Sequence, residues 1–280
     1  MNRTEFEKCI NDLCGGVNGR VGISLVELRG GEEFSRDDDW VLDHPASTIK
    51  LSILCATLAK VQEGLTSLDA PLVCKKEDKV PGSGVLQHLS DGTPLPLIDM
   101  LMLMIIQSDN SATNIVIEHI GTEYANEFFK KAGLEHTVLR RKLFDYEGIK
   151  KGIRNNISPR DLTKLLIGLE KREFLNEEFS AIGLDILLKQ QITNTLQKYI
   201  TSYWNDEGTW FRYPIKVGSK SGRDSTVEHD CGLIYTPNAT IALTVLTNKV
   251  HTPDAIELIG RVAELAVKYF DPGALEKTFK

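Results

Sequence analysis

Two kinds of periodicity divide this chain, and they constrain its fold more than any other feature of the sequence. A strand-like alternation of period two runs through residues 20–28 and returns after Tyr213, in the segments PIKVGSKSG, DCGLIYT and TIALTVLT. From Ser47 to about Ile200 the patterns are helical instead. Because strands from both ends of a chain can pair in one sheet, the sequence predicts an α+β fold. We expect an antiparallel sheet formed by both chain termini, with flanking helices and an inserted all-helical lobe.

The order of these elements gives the predicted domain organisation. We expect an α/β sheet lobe from residues 1–43 and 213–280, a helical lobe over residues 44–212, and an active site in the cleft between them. No internal repeat or long linker indicates another division. With 280 residues, 41% of them hydrophobic, the chain can bury a sizeable core.

Charge and composition restrict the class of partner. The formal net charge is -6 and the sequence pI is about 5.6, so no nucleic acid is expected as a partner. No stretch approaches the ~18 consecutive apolar residues of a membrane span. The predicted partner is therefore a small-molecule substrate, and the chain itself is predicted to be a monomer.

The first residues and the cysteines favour a cytoplasmic location. The segment MNRTEFEKCINDLCGG mixes charged and apolar residues, whereas a signal peptide has an uninterrupted apolar core. Five cysteines at irregular spacings are typical of reduced thiols rather than of a disulfide framework. An exported protein whose leader has been removed would show the same pattern, so export remains the alternative.

The first candidate for chemistry is the segment HPASTIK. Ser47 and Lys50 lie three residues apart at the start of a strongly apolar helix, so their side chains share one face. A serine hydroxyl needs an adjacent base to attack, and a buried lysine with a lowered pKa can be that base. The helix N-terminus can also stabilise an oxyanion. Taken alone, the pair also fits a helix cap beside a solvated lysine.

The second candidate is Ser-Asp-Asn at residues 108–110, where two predicted apolar helices meet. There Ser108 would relay a proton toward the leaving group, Asn110 would donate to a substrate carbonyl, and Asp109 would brace the turn. A polar turn between two helices is the structural alternative.

The third candidate is Lys-Ser-Gly at residues 220–222, on the first C-terminal strand. Lys220 and Ser221 would hold an acidic group of the substrate, and Gly222 would leave room for it. An edge strand with a solubilising lysine is the alternative.

Together, Ser-x-x-Lys, Ser-Asp-Asn and Lys-Ser-Gly occur in an order that resembles the class A β-lactamases and penicillin-binding proteins. The chain is also similar to a subgroup of these serine hydrolases without signal peptides, through EDKVPGSGVLQHLSDG, MIIQSDNSATN and LLKQQITNTLQKYI. The resemblance covers residues 20–270. It implies a β-lactamase or transpeptidase-like fold, an acyl-enzyme on Ser47, and a β-lactam or related amide substrate, with no cofactor.

The resemblance also implies a role for Arg223, three residues after the strand lysine. Its backbone N–H would act with that of Ser47 as the second donor to an oxyanion. The Arg223 side chain would pair with a substrate carboxylate, unless it is an ordinary surface arginine of the strand.

The sequence departs from the family at the deacylation step. The family activates the hydrolytic water with a glutamate in an Ω-shaped loop, followed four residues later by asparagine. The corresponding segment LRRKLFDYEGIKKGIRNNISPRDL contains no such pair. Glu147 is the best candidate for this base, with Lys151 at the asparagine position, and a solvated loop carboxylate is the alternative. An ungapped register instead places Leu143 at the glutamate position, which leaves no base and makes deacylation slow.

Two other functions remain open at the level of sequence. An esterase, a D-amino-acid peptidase or an acyl-transferase would use the same Ser47 and Lys50 chemistry. A turnover-deficient protein that binds or senses β-lactams would keep only the acylation step.

The remaining polar motifs favour structural roles. The six histidines show no short metal-ligand spacing, and Cys9 with Cys14 lacks a matching second pair, so we expect no metal site. His229 and Asp230 are adjacent in a strand and should face opposite sides, which favours a structural role for each. The segment PGSG at residues 81–84 is interpreted as a flexible loop over the cleft.

Overall fold

Strands from both ends of the chain form one antiparallel sheet. The computed structural model describes residues 1–204 and 210–276. The strands in this part of the chain are β1 (Arg20–Glu27), β2 (Glu33–Arg36), β3 (Pro71–Val73), β4 (Pro94–Pro96), β5 (Ser202–Trp204), β6 (Trp210–Arg212), β7 (Lys216–Asp224), β8 (Val227–Tyr235) and β9 (Thr240–Asn248). The main sheet has the order β2-β1-β9-β8-β7, with every neighbouring pair antiparallel. This order confirms the predicted α+β fold and the contribution of both termini to the sheet.

Most helices lie between β2 and β5, as the sequence predicts. The α-helices of the described residues are α1 (Arg3–Gly15), α2 (Ile49–Gln62), α3 (Leu97–Ile106), α4 (Asn110–Ile120), α5 (Thr122–Lys131), α6 (Tyr146–Lys150), α7 (Pro159–Glu170), α8 (Glu177–Leu188) and α9 (Thr252–Phe270). None of the helices that the structure describes is long and apolar enough to cross a membrane.

Apolar side chains cover both faces of the sheet. Along β9, Ala242 and Leu246 belong to the core shared with α2 to α5, α7 and α8, whereas Leu243 and Val245 belong to the core shared with α1 and α9. Successive side chains of a strand point to opposite faces, so a strand that is covered on both sides must be apolar nearly throughout. This explains the continuous apolar run TIALTVLT. The proposed lobe boundaries at residues 43/44 and 212/213 remain a prediction, and residues 205–209 and 277–280 within those lobes lie outside the described residues.

Helix α2 runs through the larger core. Every residue from 49 to 59 is buried, and Lys50 is the only charged side chain among them. A helix that is apolar on all sides satisfies its backbone internally and can be enclosed by other helices, here α3, α4, α5, α7 and α8. The burial of Lys50 therefore follows from its place in the sequence.

The short strands of the structure have local limits. Strand β2 ends at Arg36, because Asp37 has a left-handed backbone (φ 52°) and accepts a hydrogen bond from Arg20. The two-stranded sheet β3-β4 was missed, since three-residue strands are too short to show an alternation.

Helices α7 and α9 begin differently. In α7 the Ser158 side chain accepts from Asp161 N, and Pro159 lies in the first turn. Helix α9 begins at Thr252, and the preceding His251 makes no side-chain cap.

Candidate active site

Ser47 lies in a one-turn 3-10 helix, Ala46–Thr48, that leads directly into α2. Ala46 has a left-handed backbone (φ 45°), an uncommon conformation for a residue with a side chain. Ser47 is half-buried, and its hydroxyl makes no hydrogen bond to any residue that the structure describes. The hydroxyl is thus placed at a helix start and is free to meet a ligand.

Lys50 is completely buried one turn further along. Its Nζ lies 2.7 Å from Ser108 O, 2.8 Å from Asn110 Oδ1 and 3.0 Å from Ser108 Oγ. Burial lowers the pKa of Lys50 well below its usual value, the positive charge of Lys220 lowers it further, and Asp109 opposes the change. A neutral amine fits this site, because it can donate to the two carbonyl oxygens and accept from the Ser108 hydroxyl.

Ser108 and its two successors form the turn between α3 and α4. Ser108 is buried and has a left-handed backbone (φ 53°), a strain that is often found at functional sites. Asp109 caps α4 by accepting from Ala112 N at 2.9 Å, and its second oxygen accepts from Val85 N and Leu86 N. Asp109 therefore braces the turn as predicted and also holds the segment around residue 85.

Asn110 links Lys50 to the loop at residues 81–84. Its Oδ1 accepts from Lys50 Nζ, its Nδ2 donates to Pro81 O at 3.0 Å, and its N–H donates to Ser83 O at 3.0 Å. The loop predicted to cover the cleft is therefore fixed to α4 by hydrogen bonds. A Cβ on Gly84 would come within 2.3 Å of Asp109, so the chain needs glycine there.

Lys220, Ser221 and Gly222 lie on β7, which is an edge strand of the main sheet. Lys220 is completely buried and its Nζ donates to Ser221 O at 2.6 Å. Burial lowers the pKa of Lys220 to about 8, although Asp230 opposes the change. The third motif thus places a second lysine in the interior, rather than on a solvated edge.

Gly222 allows β7 to approach the helix start that carries Ser47. A Cβ at Gly222 would lie 2.9 Å from both Ser47 N and Thr48 N, closer than real side chains come. The strand and the 3-10 helix pack directly against each other. Only a glycine lets the backbone come this close without displacing it.

The three motifs meet at a pocket of about 130 Å³. The lining residues come from the 3-10 helix, the 81–84 loop, the α3–α4 turn, β7, β8 and the segment after α8: Ser47, Ser83, Ser108, Ile192, Ser221, Arg223 and Glu228. The structure thus brings four of the predicted site residues to one cavity, namely Ser47, Ser108, Ser221 and Arg223. Lys50 contacts both Ser108 and Asn110. On β7, Lys220 and Gly222 flank Ser221.

Three lining residues were missed at the level of sequence, namely Ser83, Ile192 and Glu228. Ser83 comes from the 81–84 loop, and Glu228 lies opposite Arg223 in the β7–β8 pairing. Glu228 is almost fully buried and forms an ion pair through Oε2 with Arg223 Nε. Burial raises the pKa of Glu228, and Arg223 opposes the change. An acidic residue inside the apolar strand VEHDCGLIY was the available signal for it.

Glu147 is not brought to this pocket. It lies on α6, where its side chain is 73% exposed and its carboxylate forms an ion pair with Lys150 at 2.9 Å. A base that activates water for hydrolysis of the Ser47 acyl-enzyme would have to face the same cavity, within reach of one water molecule shared with Ser47. The observed position is that of the solvated loop carboxylate, the alternative that the sequence left open.

Leu143, the residue of the alternative register, is held by α4. Asn114 Nδ2 donates to Leu143 O at 2.9 Å, and Leu143 N donates to Asn114 Oδ1 at 2.7 Å. These paired bonds fix the backbone of the loop to the helix that Asp109 caps.

Comparison with known proteins identifies the family. The model of the family described as "Beta-lactamase enzyme family" matches residues 5–270. The chain belongs to this family. The membership confirms the resemblance seen in the three motifs. No group of three or more His, Cys, Asp or Glu side chains that could hold a metal ion occurs in residues 1–204 and 210–276.

Three family relatives give the scale of the similarity. A β-lactamase of Rhodobacter capsulatus is 32% identical over 167 residues, which are 58% of this chain and about half (55%) of that protein. The crystal structure of a β-lactamase from Sphaerobacter thermophilus is 28% identical, with a TM-score of 0.84 over 96% of this chain and 98% of that one. A leucine-to-glutamate mutant of PBP-A, solved as an acyl-enzyme complex with penicillin G, is 26% identical, with a TM-score of 0.84 over 96% and 97%.

Proposed function

We propose that this chain is a serine hydrolase that opens β-lactams or related amides through an acyl-enzyme on Ser47. One observation carries the proposal. Ser47, Ser108 and Ser221 line a single pocket, and the buried Lys50 is hydrogen-bonded to Ser108. Membership of the β-lactamase family supports the same chemistry.

Acylation uses the lowered pKa of Lys50. Ser47 Oγ attacks the carbonyl carbon while its proton passes to the neutral amine of Lys50. Lys50 and Ser47 are not hydrogen-bonded in the free protein, and such contacts often tighten only when the substrate binds. As the carbon–nitrogen bond breaks, Ser108 gives its proton to the leaving nitrogen and takes one from Lys50.

Backbone and side-chain donors bind the substrate. The N–H groups of Ser47 and Arg223 stabilise the oxyanion, which the close approach of Gly222 to Ser47 N favours. Asn110 Nδ2 donates one hydrogen to Pro81 and has a second for a substrate carbonyl. Lys220 and Ser221 hold the polar end of the substrate.

Deacylation is the slow step in this proposal. Glu147 is exposed outside the pocket, and the ungapped register would place Leu143 at the glutamate position. PBP-A is a protein of similar fold, and a mutant with glutamate in place of a leucine was solved as an acyl-enzyme complex. We infer that the Ser47 acyl-enzyme of this chain is long-lived, as in a penicillin-binding protein.

Intact-mass measurement with benzylpenicillin and with a chromogenic cephalosporin tests the proposal. We expect a mass increase of one acyl group that Ser47→Ala abolishes, with slow colour development. Rapid colour change without an adduct would support efficient hydrolysis and contradict slow deacylation. No adduct with either β-lactam, together with Ser47-dependent ester turnover, would favour the esterase alternative.

The proposal also includes the compartment and the oligomeric state of the protein. All five cysteines are unpaired, and we propose a reducing compartment, the cytoplasm, on that basis. We also propose a monomer. Cell fractionation and light scattering of the purified protein test these two statements.

A further inference from the structure

The pocket contains one cation and one anion rather than cations alone. Of the seven lining residues, only Arg223 and Glu228 carry ionisable side chains. Lys220 contributes a charge from behind Ser221, and its lowered pKa reduces that charge above about pH 8. Below about pH 8 the substrate-binding end of the pocket therefore has two cations, Arg223 and Lys220, and one anion, Glu228, whereas the sequence indicated only cations there.

Glu228 is built into the wall of this pocket. Only 2% of its side chain is exposed, and its backbone is fixed by two hydrogen bonds with the Thr247 hydroxyl. Arg223 binds Oε2, and none of the hydrogen bonds among the residues that the structure describes goes to Oε1. An acceptor oxygen of a nearly buried carboxylate is thus available to a ligand in the pocket.

Glu228 competes with a substrate carboxylate for the Arg223 guanidinium. Its Nε is committed to Glu228, and half of the side chain is exposed to solvent, where charge interactions are screened. A second carboxylate entering the pocket would share one guanidinium with Glu228. Like charges placed side by side in an interface repel each other, whereas a hydrogen-bond donor would satisfy Oε1.

We propose that Glu228 determines the substrate class, so that the pocket accepts a leaving group ending in a hydrogen-bond donor and disfavours a carboxylate there. Carboxamides and protonated amines are the donors that fit. The inference rests on the proposed acyl-enzyme chemistry of Ser47. It implies that β-lactams, which carry a carboxylate, acylate this protein more slowly than an uncharged substrate of equal reactivity.

A matched pair of thioesters tests the inference. Hippuryl thioglycolate and hippuryl thioglycolamide share the acyl group and differ only in a terminal carboxylate or carboxamide, and the loss of thioester absorbance reports turnover. We expect the wild-type protein to have the higher kcat/KM for the amide. Glu228→Gln, which keeps the shape and removes the charge, should raise the carboxylate-to-amide ratio of kcat/KM by at least about tenfold.

The controls separate this inference from the proposed function. Glu178→Gln removes an equal charge from the exposed start of α8 and should leave the ratio unchanged. The ratio is independent of the fraction of folded protein, so partial unfolding of Glu228→Gln does not affect it. Should that variant fail to fold, Arg223→Gln leaves Glu228 without its cation and should lower the ratio further.

Two failures would be distinguishable. If both thioesters are turned over in a Ser47-dependent manner but neither pocket variant changes the ratio, the role of Glu228 is overturned. If neither the thioesters nor the β-lactams react with Ser47, the proposed function itself fails.

Discussion

His229 ties β8 to the segment that carries Ser47, because its Nε2 lies 3.2 Å from the main-chain oxygen of His44. Thr247 N donates to the other ring nitrogen at 3.1 Å, so Nδ1 is an acceptor and Nε2 carries the hydrogen that binds His44. The bond to Nδ1 requires the neutral ring, because a protonated ring has no acceptor nitrogen. Burial accordingly lowers the pKa of His229 to about 4.

The first prediction concerns stability at low pH. A histidine whose folded pKa is about 4 and whose unfolded pKa is 6.5 stabilises the fold fully above pH 6.5 and loses that contribution as the pH falls toward 4. The loss amounts to roughly 3 kcal/mol of unfolding free energy. Denaturant unfolding at several pH values should show this decrease in the wild type relative to His229→Gln, and parallel pH profiles of the two proteins would contradict it.

Asp230 makes the mutant comparison necessary. Burial raises its pKa to about 6, so its effect has the opposite sign and is lost as the pH rises through 6. The two neighbouring groups partly cancel in the wild-type profile, and the difference between wild type and His229→Gln isolates the histidine. Since Asp230 accepts from Thr195 and Leu196, on the other side of β8 from His44, it is unaffected by the exchange.

The second prediction concerns Lys50 as the base of acylation. Lys50→Arg keeps a cation at the site but cannot be deprotonated, so we expect acylation of Ser47 to slow by about 10²–10⁴-fold. In the wild type, acylation should rise with pH through the lowered pKa of Lys50 and level off well below pH 10.5. Stopped-flow acylation measures both. A plateau reached only near pH 10.5, or a Lys50→Arg variant with the wild-type rate, would exclude this role.

Sequence reasoning identified the motifs whose residues lie close together along the chain. Ser47 and Lys50 lie one helical turn apart, and Ser108 and Asn110 lie in one short turn, so local structure alone brings the residues of each motif close together. The sheet was predictable for a similar reason, because an alternation of period two is visible within a single strand.

What sequence reasoning missed depends on pairing between distant segments. Glu228 reaches the pocket through the β7–β8 register, which sets it opposite Arg223, and Ser83 reaches it through a loop held by Asn110. Neither relationship is encoded in a local period. The position of Glu147 was equally open, because a loop without a regular period has no register that spacing can fix.

The third prediction concerns the close approach of β7 to the nucleophile. A methyl group at Gly222 would lie 2.9 Å from Ser47 N and Thr48 N, and these backbone atoms cannot move without shifting the oxyanion donor. We expect Gly222→Ala to lower the acylation rate by about 10²–10³-fold, the usual effect of losing one such donor. Gly15→Ala meets no atom within 4 Å and is the matched control. Equal acylation rates for both variants would show that the contact does not matter.

The last prediction concerns the fate of the acyl-enzyme. In the ungapped register, Leu143 stands at the loop position that the family fills with glutamate, and two hydrogen bonds with Asn114 fix its backbone. Leu143→Glu should therefore introduce a water-activating carboxylate and shorten the lifetime of the Ser47 adduct by about 10²-fold or more, as measured by intact mass after rapid removal of free β-lactam. Leu65→Glu, at an exposed leucine after α2, is the matched control and should leave the lifetime unchanged.

Because Glu147 is solvated and paired with Lys150, Glu147→Gln should also have no effect on the lifetime of the adduct. A longer-lived adduct in Glu147→Gln would instead assign the deacylation base to that residue, and an unchanged lifetime in Leu143→Glu would show that this position does not face the acyl group.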